Sequence, residues 1–208
     1  MRIKIIIGIV SLFISGHGIA QSTEQHIPKL ELRKKEKKHF NNRDSSAVIY
    51  IDTLIMKDKS SLQFFGKKNV KLIVNYAEIG NRAFISGIGR QNNASNFDIE
   101  MHLVKLGSLY VVARGQDAMN GTKTFPNGDG GHVRFAYSGI TPQTSDKKGP
   151  NYLYIDVSAG GRTTNPTSDL NQIYSRIATS APGLRGVPQG QIYSGSPGKD
   201  GEIVLKQK

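Results

Sequence analysis

The sequence predicts an all-β domain built as a short-stranded β-solenoid, with Gly/Pro-rich excursions and one short helix, on three observations. Beyond Ala47, short apolar runs are rich in β-branched and aromatic residues. Polar turn clusters such as Lys57-Asp58-Lys59-Ser60 and Gly66-Lys67-Lys68 separate them. Sixteen of the 23 glycines and seven of the eight prolines lie after residue 106.

Taken in order, Ala47 to Met56, Ser61 to Phe65, Asn69 to Asn75 and Arg82 to Ile85 are too short for useful helices and have strand composition. Asp98 to Leu106 alternates, with Ile99, Met101 and Leu103 on one face, and Gly107 turns the chain into Ser108 to Arg114. His132 to Tyr137 places Val133, Phe135 and Tyr137 together, Tyr152 to Val157 is nearly continuously apolar, and Ile203 to Leu205 closes the set. Leu170, Ile173, Tyr174 and Ile177 recur at helical spacing between Asp169 and Pro182, which predicts a helix of two or three turns inside a long connection. No repeat of fixed period stands out between Ala47 and Arg114, so a β-sandwich is the alternative architecture.

Residues 1–20 read as a signal peptide: Arg2 and Lys4, an apolar run from Ile5 to Ile14, then Gly16, Gly18 and Ala20. The run falls short of the roughly 20 apolar residues of a spanning helix, so no transmembrane segment is expected after its removal. The chain has no Cys, which removes disulfides, thiolate metal sites and a cysteine nucleophile. Residues 21–46 carry Lys29, Arg33, Lys34, Lys35, Lys37, Lys38 and Arg43 among few apolar residues, and read as a flexible basic arm before a single domain at 47–208. As a function, closely spaced cations suit an anionic polymer by counterion release, and a solvated linker is the plainer alternative. Phe40 is the sole aromatic residue interleaved with the Lys run, which argues against specific nucleic-acid binding. From Ala47 onward 19 basic residues face 12 acidic ones.

Gly183, Gly186, Gly195, Gly198 and Gly201 lie in phase at multiples of three, as do Gly115, Gly121 and Gly130. Every third residue of an extended left-handed helix faces one side, where glycine lets another backbone approach. Ordinary loops use the same residues. With Asp52-Thr53-Leu54-Ile55-Met56, Asp129-Gly130-Gly131-His132-Val133, Ser158-Ala159-Gly160-Gly161 and Gly195-Ser-Pro-Gly-Lys-Asp-Gly201, the last 160 or so residues resemble secreted bacterial glycine-rich β-proteins, in which β-helix-like coils carry collagen-like Gly-x-y tracts. That resemblance implies structural or adhesive work at a surface.

Chemistry is sparse. His102 and His132 are the only histidines beyond residue 46, and no G-x-S-x-G, H-E-x-x-H or Walker sequence occurs. His132 with Asp129 and Arg134 offers a polar cluster without a complete catalytic set. Asn127-Gly128-Asp129-Gly130 has calcium-loop turn chemistry but one carboxylate, to which Asp117 and Asp156 add ligands only if the fold gathers them. The reading is therefore an exported, non-enzymatic structural, adhesive or surface-binding protein in the periplasm, on the cell surface or outside the cell. No cofactor, metal or catalytic residue is assigned. Its partner is an anionic glycan or envelope polymer met by Lys34, Lys35, Lys37, Lys38, Arg114, Arg134 and Arg162, and self-association through the Gly tracts is a further expectation. The alternative is a lyase-like polysaccharide enzyme on a β-helix, with Arg114, Arg134 or Arg162 beside Asp156 or His132.

Overall fold

Buried residues alternate with partly buried or exposed ones along most of the long strands, and in a computed structural model this pattern closes the chain around one aliphatic core. The structure describes residues 23–118, 125–161 and 197–208. It is an all-β parallel solenoid with no helix among the described residues. Eleven strands follow in order: β1 (Thr23–Leu32), β2 (Lys37–Phe40), β3 (Ser46–Met56), β4 (Ser61–Phe65), β5 (Asn69–Ile79), β6 (Ala83–Ile88), β7 (Asn96–Leu106), β8 (Ser108–Val112), β9 (Val133–Gly139), β10 (Tyr152–Asp156) and β11 (Ile203–Gln207). Odd strands form one parallel sheet, β1-β3-β5-β7-β9-β11, and even strands another, β10-β8-β6-β4-β2. Each coil thus adds one strand to each sheet, in the solenoid predicted and not in a sandwich.

Stacking is in register. Thr23, Ala47, Val70, Phe97, Val133 and Ile203 occupy one column, so successive coils advance 24, 23, 27, 36 and 70 residues. Inward columns are apolar, as in Ile49, Leu72, Ile99 and Phe135, each burial stabilising by about 1.5–3 kcal/mol. Phe40, Phe64 and Phe97 pack ring to ring, centroids 4.8 and 5.7 Å apart. Gly87 stands in register with Phe64, and a Cβ there would lie 2.7 Å from the Phe97 ring, so glycine makes the room that ring needs.

The long strands bend where the alternation slips. Ile51 and Leu54 both face inward, with Asp52 and Thr53 between them, and Val74 and Ala77 repeat the slip one coil on. Asp52 Oδ1 accepts from Asn75 Nδ2 at 3.1 Å and lies 3.2 Å from His26 Nε2, which ties the bend across three coils. At the opposite corner Lys67 is 0% exposed, and its Nζ donates to the carbonyls of Asn42 (2.8 Å) and Asp44 (2.5 Å). Burial pushes this ammonium below its ordinary pKa, with Asp44 opposing the shift.

Residues 23–40 correct the expectation of a flexible arm. Ile27, Leu30, Leu32 and Phe40 give this coil its share of the core, while the lysines ride outside. Pro28 is tolerated because β1 is an edge strand. The signal-peptide segment, the helix expected near Leu170 to Ile177 and most of the late Gly-x-y tract lie outside the described residues.

Glycines assemble a second kind of packing beside β8 and β9. Residues 127–131 bond through their backbone to several separate segments: Gly128 N to Gln116 O (2.8 Å), Gly131 N to Ala113 O (2.8 Å) and Gly130 N to Lys199 O (2.9 Å). In return Gly128 O accepts from Gly160 N (2.8 Å) and Asp129 O from Ala94 N (2.9 Å). A β-strand bonds only to strands on its two sides, so this is not sheet. A Cβ at Gly128 or Gly130 would fall 1.8 Å from the carbonyl oxygen of Asn92 or Val157.

Candidate functional site

Each turn from the first sheet to the second must reverse the chain in few residues, and three successive turns do so alike. Arg33-Lys34-Lys35, Lys57-Asp58-Lys59 and Gly80-Asn81-Arg82 follow the in-register residues Leu32, Met56 and Ile79. The third position is left-handed every time: φ is 65° at Lys35, 61° at Lys59 and 55° at Arg82. Backbone bonds stack the turns, Lys35 N to Asp58 O at 3.0 Å and Lys59 N to Asn81 O at 2.8 Å. Asp58 Oδ1 caps Asn81 N at 2.8 Å, and Ser108 Oγ accepts from Arg82 N at 2.7 Å.

Cations therefore recur once per coil, about 4.8 Å apart as the spacing of parallel strands requires. Lys34, Lys35, Lys57, Lys59 and Arg82 are all exposed, and the loop between β9 and β10 brings exposed Lys147 and Lys148 to the same corner. Among the described residues none of these seven forms an ion pair. A groove of about 790 Å³ runs between them, lined by Lys34, Lys59, Arg82, Tyr110, Lys147 and Lys148, with Asp58 as its acidic member.

The second sheet's outer face begins two residues beyond these turns. Lys37, Ser61, Phe84, Tyr110 and Tyr154 stand in register there. The Phe84 and Tyr110 rings stack at 5.0 Å, while Tyr154 and Tyr152 meet Tyr110 at 6.0 and 5.8 Å. Burial, with Tyr110 and Tyr154 close by, raises the Tyr152 hydroxyl above its ordinary pKa.

The residues singled out in the sequence divide. Lys34 and Lys35 lie in the first cationic turn; Lys37 and Lys38 follow on β2, with Lys38 Nζ 5.9 Å from the Phe40 ring centroid. Arg114 is exposed just after β8, away from that groove's lining. Arg134 lies on the first sheet, its Nη2 2.5 Å from Asp98 and 2.9 Å from Glu100, so its charge is already balanced. Arg162 is outside the described residues. Of the residues named for a lyase-like site, Arg134 on β9 and His132 just before it belong to one sheet, and Asp156 on β10 belongs to the other.

The remaining polar residues serve the backbone. Asp129 Oδ1 accepts from Lys199 N, Asp117 Oδ1 from Gly161 N, and Asp156 Oδ1 from Ser158 N and Oγ, all at 2.6–3.1 Å. His132 Nδ1 accepts from Glu202 N at 3.2 Å. Among the described residues no group of three His, Asp or Glu is placed to hold a metal, and no helix is long and apolar enough to cross a membrane.

Sequence reasoning missed Lys57, Lys59, Arg82, Lys147 and Lys148. The signal for the first three was a basic turn triplet repeating after 24 and then 23 residues. No family model, curated protein or solved structure matches the chain.

Proposed function

We propose that this chain is an exported, non-catalytic scaffold that adheres to an anionic glycan or envelope polymer through its cationic corner. The observation that carries the reading is the stack of Lys35, Lys59 and Arg82 in left-handed turns. A left-handed conformation costs an L-residue with a Cβ roughly 1–2 kcal/mol. Placing like charges in adjacent coils is also unfavourable. No intramolecular ion pair offsets these costs among the described residues, and a polyanion laid along the corner would.

The test separates fold from binding. In the triple variant Lys35→Asn, Lys59→Asn, Arg82→Asn, thermal stability should hold or rise, because Asn tolerates this conformation. Affinity for a polyanion should fall, and the slope of log K against log salt should become shallower by about two to three, one released counterion per lost contact. Unchanged affinity and slope would remove the proposal.

A further inference from the structure

The groove joins two chemistries. Its cations sit on the turns, and Tyr110 enters from the aromatic column of the second sheet, beside Tyr154, which is 44% exposed. Among the described residues neither phenol hydroxyl has a hydrogen-bond partner. Phe84 and Tyr110 cover each other's faces at 5.0 Å, so no flat base can slip between them as on a nucleic-acid stacking platform. What the column leaves free is hydroxyl groups able to donate and accept.

From this juxtaposition, and resting on the adhesive reading above, we infer that the ligand is an acidic polysaccharide running along the solenoid axis, its carboxylates or sulfates on the cationic turns and its ring hydroxyls on Tyr110 and Tyr154. The cations repeat at the spacing of neighbouring strands, about 4.8 Å. That is close to the length of one sugar residue in an extended chain, so a linear polymer can present a fresh group to each coil. Ionised phosphate groups can only accept from the phenols, whereas ring hydroxyls both donate and accept.

The experiment measures full-chain binding to four probes: a polyuronate decasaccharide, a neutral glucan of equal length, polyphosphate of equal charge and a single-stranded oligonucleotide. The expected order places the polyuronate about tenfold above polyphosphate and the oligonucleotide, the return from two hydrogen bonds. The Tyr110→Phe, Tyr154→Phe variant keeps both rings and should lose that tenfold for the polyuronate alone. Near-equal binding of polyuronate and polyphosphate, tightest binding of the oligonucleotide, or a double Phe variant that binds polyuronate like the parent overturns the inference while leaving anionic adhesion standing. Failure of every polyanion to bind overturns both.

Discussion

The coils and the glycine-rich packing beside them solve the same problem in opposite ways. From β3 to β8 the backbone bonds along two flat sheets, and Leu, Ile, Val and Phe side chains fill the space between. At Gly128, Gly130 and Gly131 and the glycines around them there is no side chain and main chains themselves fill the space, with carbonyl oxygens where a Cβ would sit. A sheet bonds in one plane and needs side chains for the other direction; glycine segments bond in several directions and need none. The difference teaches that glycine there is a packing residue, as specific in its demands as a core leucine.

That contrast is open to direct tests. Gly130→Ala places its methyl 1.8 Å from Val157 O, and the expected loss in denaturant unfolding is on the order of 4 kcal/mol or more, the exceptional end for one substitution. Gly161→Ala, with nothing among the described residues within 4 Å of its Cβ, should stay within about 0.5 kcal/mol. Equal effects at the two positions would erase the distinction. In the coils the corresponding damage comes from removing atoms: Leu72→Ala, at a fully buried position, should cost about 2–5 kcal/mol and open a cavity.

The smallest effect concerns an ion-pair cluster on the first sheet. Glu100 on β7 is held below the usual carboxylate range first by Lys208 Nζ and then by Arg134, both hydrogen-bonded to it. A depressed folded pKa contributes stability above the unfolded value and loses it as pH falls through the folded one. Glu100→Gln should therefore cost a few tenths of a kcal/mol at neutral pH, and the gap from the parent should close on acidification below the ordinary carboxylate range. A gap that widens in acid would assign the effect to packing.

Much of the solenoid was legible because its strands are bounded by charged turns. The span Ser61 to Phe65 coincides with β4, and the expectations for β3, β8 and β10 fall within a residue or two. The first coil was hidden by its lysines, since charge on an outward face looks like charge on a tail. The repeat was hidden because coil length grows from 23 to 70 residues while the register holds. Of the site, Lys34 and Lys35 were readable as cations, whereas their union with Lys59, Arg82 and the phenols needs the stacking that no local window contains. Arg134 shows the converse: a basic residue in sequence, a neutralised one beside Asp98 and Glu100.

Unequal coil length has a consequence for what this architecture can become. Rungs align to one another and take no notice of how much chain lies between them. The corner after β9, where residues 140–151 already depart from the tight turn of earlier coils, is thus a natural graft point. Foreign peptides or new recognition loops inserted there would be displayed at a fixed height along the solenoid, at the same corner as the cationic turns.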